Sequence, residues 1–151
     1  MNRLLITLAI VIACCGDAVA HEWTDMARNE NMVVYIDKAS IAKTGNMVKV
    51  WKLVDYKTAK LFRGKSYLSS ITAIEYDCID RQYRTYYIAV YATRMAAGSI
   101  ENIVGWYAEG ASASNLSQLP STSWQFPPSE WQHMLMVPLD NPIREFVCNR
   151  K

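Results

Sequence analysis

From Lys65 to Thr93 the chain reads KSYLSSITAIEYDCIDRQYRTYYIAVYAT, two runs of β-branched and aromatic residues around a short polar break at Asp80-Arg81-Gln82. Such side chains favour a pleated surface, where they pack against cross-strand neighbours. The break is too short for a crossover, so the pattern predicts an antiparallel hairpin of two long strands. Shorter apolar runs predict further strands at His21–Arg28, at Met32–Ile36 ending on Asp37, at Met47–Tyr56 and at Ile100–Ala108. In Met47–Tyr56, Val48, Val50 and Val54 alternate against Lys49, Trp51, Leu53 and Asp55, so both faces carry apolar groups and the strand reads as central.

The connections are polar. Asp37–Lys43 reads as an irregular helical turn, Lys43-Thr44-Gly45-Asn46 as a turn, Lys57–Gly64 as a mobile polar connection, and Ala96-Ala97-Gly98 as another turn. From Glu109 to Pro128, Ser, Gln, Pro and Asn dominate and predict an irregular surface excursion pinned by Trp124 and Phe126. The last element is helical. Asn141 reads as an N-cap with Pro142 in the first turn, and Ile143, Phe146 and Val147 fall on one stripe.

The first twenty residues read as a leader. Arg3 precedes the apolar run LLITLAIVIA, and Ala18-Val19-Ala20 forms an A-x-A processing site with His21 as the first mature residue. A rival cut exists at Val11-Ile12-Ala13-Cys14, which resembles a bacterial lipobox and would leave a lipid on Cys14. The expectation is export to the periplasm or cell surface as one domain over residues 21–151, with no transmembrane anchor in the mature form. Processing at Ala20 removes Cys14 and Cys15 and leaves Cys78 and Cys148. In an oxidising compartment two such cysteines pair with each other or stand as two buried thiols. Cys148 ends the C-terminal helix, where a bond to Cys78 would staple that helix to the sheet.

Charge excludes one class of partner. The net charge is +2 over 151 residues with no Lys/Arg-rich run, which speaks against nucleic acid. Catalysis has no evident carrier. His21 and His133 are the only histidines, and neither lies in a metal-ligand spacing or beside a nucleophile, so no metal and no cofactor is expected. Ser40-Ile41-Ala42-Lys43 matches S-x-x-K and Lys43-Thr44-Gly45 matches K-T-G, but in an enzyme those elements are far apart in sequence, whereas here they overlap at one turn. Aromatic content is the feature open to a functional reading. Tyr83, Thr85, Tyr87 and Tyr91 share one face of the second long strand, with Arg84, Tyr86, Ile88 and Val90 on the other. If the helix covers one face only, the opposite one offers a patch to a protein partner, unless the long loop with Trp124 and Trp131 covers it.

The order Trp23, Val34-Tyr35-Ile36-Asp37, Ser40-Ile41, Val50-Trp51, Tyr67-x-Ser69, Tyr76-Asp77-Cys78 and a final Cys148 resembles the surface-adhesin protein E-like family, small exported proteins of Gram-negative bacteria. The resemblance implies a twisted antiparallel sheet with a helix and a Cys78–Cys148 disulfide. The expected class is therefore α+β, mostly β, with a sheet of about six strands and a short C-terminal helix stapled by that disulfide. It also implies adhesion, through host proteins such as vitronectin and laminin. The ligand-contacting charges of the best-known member are an adjacent basic pair shortly before the strand that leads to the first cysteine. Here that region reads Arg63-Gly64-Lys65, so the pair is interrupted. The site expected is Arg63 and Lys65, joined by the aromatic face of Tyr83, Tyr87 and Tyr91. The partner expected is a host extracellular-matrix protein or an envelope protein, and a homodimer is compatible with the same reading. The competing function is a periplasmic accessory protein that supports the envelope without a host ligand.

Overall fold

The computed structural model describes residues 21–98, 100–105, 128–133 and 139–150. The segment read as a leader, and Trp106, Tyr107, Trp124 and Phe126, lie outside the described residues. The main sheet follows the order of the chain: β1 (Trp23–Arg28), β2 (Met32–Asp37), β4 (Met47–Phe62), β5 (Lys65–Asp77), β6 (Gln82–Tyr91) and β7 (Ile100–Gly105). Every pairing is antiparallel. Two short strands pair at the side, β3 (Ala42–Thr44) with β4 and β8 (Gln132–His133) with β6. Among the described residues there is one α-helix, α1 (Asp140–Cys148), and the fold is α+β with strand predominant. No helix among the described residues is long and apolar enough to cross a membrane.

The period-two patterns become two apolar layers. On one face Val34, Ile36, Val48, Val50, Val54, Ile74 and Tyr76 meet Ile143 and Val147 of α1. On the other, Trp51, Leu53, Ile71, Ala73, Tyr86, Tyr87 and Ala89 form a second buried cluster, with Ala96 of the 3-10 turn Arg94–Ala96 against it. The strand read as central is therefore buried on both sides from Val48 to Asp55, apart from the half-buried Lys49 and Lys52. Ile143 and Val147 are fully buried, and each contributes on the order of 1.5–3 kcal/mol by leaving water.

Cys78 and Cys148 are bonded to each other, with Cα atoms 5.6 Å apart, which fastens the end of α1 to the end of β5. The helix begins earlier than its sequence suggests. Leu139 occupies the N-cap without a side-chain bond, so Asn141 and Pro142 are the second and third helical residues. The first-turn N–H groups have no intrahelical partner, so Pro142 is tolerated there. The first helical residue is Asp140, whose carboxylate lies 2.9 Å from Lys52 Nζ on β4, both groups largely buried.

Two other readings change. Asp37–Lys43 contains a 3-10 turn over Lys38–Ser40, and Ala42–Thr44 then pairs with β4 instead of continuing the turn. The connection read at Lys57–Gly64 is strand: β4 runs sixteen residues to Phe62, and Arg63-Gly64 alone joins it to β5.

Candidate binding arm

The second half of the β4–β5 hairpin leaves the body of the sheet. β2 last pairs with β4 at Tyr56, and β6 last pairs with β5 at Ser69. Beyond these points the two strands continue as a ribbon, with Lys60 opposite Tyr67, Leu61 opposite Ser66 and Phe62 opposite Lys65. The register shifts between Asp55 and Lys60, where Tyr56–Ala59 on β4 face a single residue, Leu68, on β5. Such an irregularity bends a strand and increases its twist.

The turn at the tip is tight. Arg63 and Gly64 both have positive φ, 49° and 77°, the pattern of a two-residue turn whose twist matches its flanking strands. Glycine takes that conformation freely and arginine with some strain. From Tyr56 to Ile74 the sequence contains no acidic residue, while Lys57, Lys60, Arg63 and Lys65 fall on the arm. Aromatic rings back the cations: Lys60 Nζ lies 5.8 Å from the Tyr56 ring centre and the Arg63 guanidinium 5.4 Å from that of Phe62. Leu61 is 77% exposed.

Buried polar groups fix the root. Asp55 is opposite Ser69 in the register, and both are buried. Asp55 accepts a bond from Met95 N at 3.0 Å. Ser69 Oγ donates to Thr93 O at 2.6 Å and accepts from Ala96 N at 2.9 Å. Arg94 then donates to the carbonyls of Tyr56 and Lys57, at 3.4 and 3.3 Å. The Tyr56 and Tyr67 rings meet edge to face at 5.6 Å across the base. Burial first, then Tyr67, raises the Tyr56 phenol above its ordinary pKa.

Arg63 and Lys65 thus flank Gly64 at the arm's tip, both exposed. The three tyrosines do not join them, nor do they share a face. Opposite Ala73 and Ile74, β6 presents Tyr87 and Thr85, with Tyr86 as the extra residue of a bulge. The bulge shifts the alternation by one, so Tyr83 packs against the helix-side cluster and Tyr87 and Tyr91 against the other. Tyr83 donates to Gln132 Oε1 at 2.8 Å. Tyr87, only 3% exposed, packs edge to face on Trp51, and burial pushes its phenol far up. Burial also raises Tyr91. Lys57, Lys60, Leu61 and Phe62 were hidden inside a stretch that reads as loop; the signal that points to them is Leu-Phe before Arg-Gly, a strand end before a two-residue turn.

Other titratable groups have structural work. Glu75, almost fully buried, accepts from Arg84 Nε at 2.5 Å and from the Tyr86 hydroxyl at 3.0 Å. Burial and then Glu75 push the Tyr86 phenol up to about 12. Tyr76, at the centre of the helix-side core, is raised well above the ordinary value by burial and then by Asp140. His21 Nδ1 sits 2.7 Å from Asp37 Oδ2. Ser40 Oγ donates to Asp37 O and accepts from Trp51 N, while Lys43 Nζ bonds the carbonyls of Cys148 and Arg150. Among the described residues no group of three or more His, Cys, Asp or Glu is arranged to hold a metal ion.

The sequence model of the Surface-adhesin protein E family matches residues 23–125, more than half of the chain. A search of curated proteins finds no match, and a search of solved structures finds none either. The matched stretch holds the whole arm and the sheet from which it projects, and by that match the chain belongs to the surface-adhesin protein E family.

Proposed function

We propose that this chain is an exported, non-enzymatic binding module that holds a protein partner, a host extracellular protein or a protein of the envelope, through its basic arm. The observation that carries this reading is the arm itself: a braced ribbon outside the core, with Arg63 and Lys65 at its tip and Lys57 and Lys60 behind them. Supporting it, the Ser40 and Lys43 side chains that mimic an enzyme motif are occupied in holding the turn and the helix end. Positive charge at an exposed tip steers an acidic partner and raises the association rate more than it slows dissociation. In this reading residues 1–20 act as a leader and the chain is exported to the periplasm or the cell surface.

The test is a double charge reversal, Arg63→Glu/Lys65→Glu, in the purified protein. Both side chains are exposed, and the melting temperature of the variant checks that the fold is retained. Capture of envelope and host extracellular proteins by the wild type supplies the partner. The variant then loses most binding, with association slowed more than dissociation is hastened, and the wild-type complex weakens as salt rises. Wild-type affinity in the variant across that salt range overturns the reading. Cell fractionation separates the adhesin from an accessory protein retained in the periplasm.

A further inference from the structure

The arm also has an open strand edge. β2 stops pairing at Tyr56, and Lys57 N makes its bond to Asn31 O at 2.9 Å. Among the described residues nothing pairs with the outer side of β4 from Thr58 to Phe62. The two-residue turn decides which backbone groups lie on that edge. The residues flanking such a turn, Phe62 and Lys65, form a hydrogen-bonded pair, and bonded and non-bonded pairs then alternate. Leu61 and Ser66 are a non-bonded pair, so the N–H and C=O of Leu61 point out of the ribbon. Its side chain is the most exposed large apolar group described, and Lys60 and Arg63 bracket it.

This edge is selective by charge. A second copy of the same edge would set Lys60 and Arg63 against like charges, which disfavours self-pairing. An extended segment carrying Asp or Glu stands in the opposite relation, attracted where a copy is repelled. The braced root holds the edge in place beforehand and reduces the ordering that binding requires.

We propose that an extended acidic segment of the protein partner adds to the arm as a third strand along Ala59–Phe62, its backbone bonding to Leu61 and its carboxylates meeting Lys60 and Arg63. This inference rests on the arm being the partner-binding surface and adds the mode, strand addition, and the chemistry of what is bound.

The probes are a peptide of alternating glutamate and valine, the same peptide N-methylated throughout, and vesicles of phosphatidylglycerol and phosphatidylcholine in equal parts. The readout is the amide spectrum and amide exchange of the isotope-labelled protein. The unmethylated peptide binds, shifts the Leu61 amide and slows its exchange, while the methylated one, equal in charge, binds about tenfold or more weakly. Leu61→Pro removes the outward N–H without breaking a native bond, so the fold stands and peptide binding is lost. Lys60→Glu/Arg63→Glu, which leaves the backbone unchanged, also loses it.

Equal binding of both peptides overturns strand addition and leaves a charge-only contact. Binding of neither peptide overturns it too, and if Arg63→Glu/Lys65→Glu still loses the captured partner, the arm reading survives alone. Should the arm shift on the vesicles and on neither peptide, its ligand is an anionic membrane surface. If the charge-reversed protein keeps its partner, the arm is not the binding surface at all.

Discussion

β4 and β5 pair on both sides of the irregularity at Tyr56–Ala59, yet the two halves behave as different materials. From Val48 to Asp55 on β4 and from Ser69 to Asp77 on β5 nearly every side chain is buried, with apolar layers on both faces. Beyond the irregularity the ladder resumes at Lys60–Tyr67, and from Lys57 to Phe62 and from Lys65 to Leu68 the residues are exposed or half-buried. Backbone pairing is common to both halves, so it does not distinguish them. Burial does: the first half is held by what leaves water, the second by a tight turn and a polar brace at its root.

Alkaline pH should break the buried half most completely. The Tyr86 phenol is raised from 10.0 to about 12, and Tyr76 and Tyr87 are raised as well. Because the folded values exceed the unfolded one, this stabilisation is whole below about pH 10 and is lost as pH climbs through about 12. Thermal melts at stepped pH, read beside phenolate absorbance, should show the loss of stability coinciding with ionisation of these tyrosines. A melting temperature that stays level through that range would remove the buried tyrosines from the account.

Next in size is the staple. Cys148→Ser should lower stability by about 4 kcal/mol, the loop-closure estimate for residues separated by 70 positions. Chemical denaturation of the variant and of the reduced wild type measures this, and agreement between them assigns the effect to the bond. One step smaller is a contrast between the halves themselves. Ile74→Ala, at a fully buried position, should cost about 3 kcal/mol, whereas Leu61→Ala should change stability by no more than about 0.5 kcal/mol. Similar losses from the two would erase the distinction drawn here.

The brace lies between the halves. Asp55→Ala removes the acceptor for Met95 N and the partner of Arg94, and should cost about 1–3 kcal/mol. Its signature is local: amide exchange should quicken in the arm and in Arg94–Ala96 more than around Tyr76. The smallest effect is a gain. Arg63→Gly relieves the positive φ at the turn and should raise stability by no more than about 1 kcal/mol, seen as a slightly higher melting temperature.

The same contrast explains what could be read without the structure. The long hairpin, the central strand and the helical stripe were legible because each has an apolar face with a period, and a buried face imposes one. Lys57–Phe62 has no such face, since a ribbon exposed on both sides lacks the constraint that produces alternation. The phase of β6 escapes the sequence pattern for a different reason. Strict alternation carries Tyr83 and Tyr87 to one side, and only the bulge at Tyr86 sends them to opposite faces. Capping chemistry points to Asn141 as the helix start, but the Lys52–Asp140 ion pair sits one residue earlier, and ion-pairing across elements leaves no local trace. As for the candidate site, Arg63 and Lys65 were visible as charges, while the edge beside them depends on where neighbouring strands stop.

The disulfide also has a bearing on the order of assembly. Its second cysteine lies 70 residues after the first, behind every strand of the main sheet. That sheet is a meander in which each strand pairs with one close in sequence, so its registers can settle before the last segment is in place. Val48, Val50, Ile74 and Tyr76 meanwhile wait for Ile143 and Val147. Among the described residues α1 is the helix laid on this layer, which stays without that cover until the last segment arrives, and Cys148 then fastens the lid.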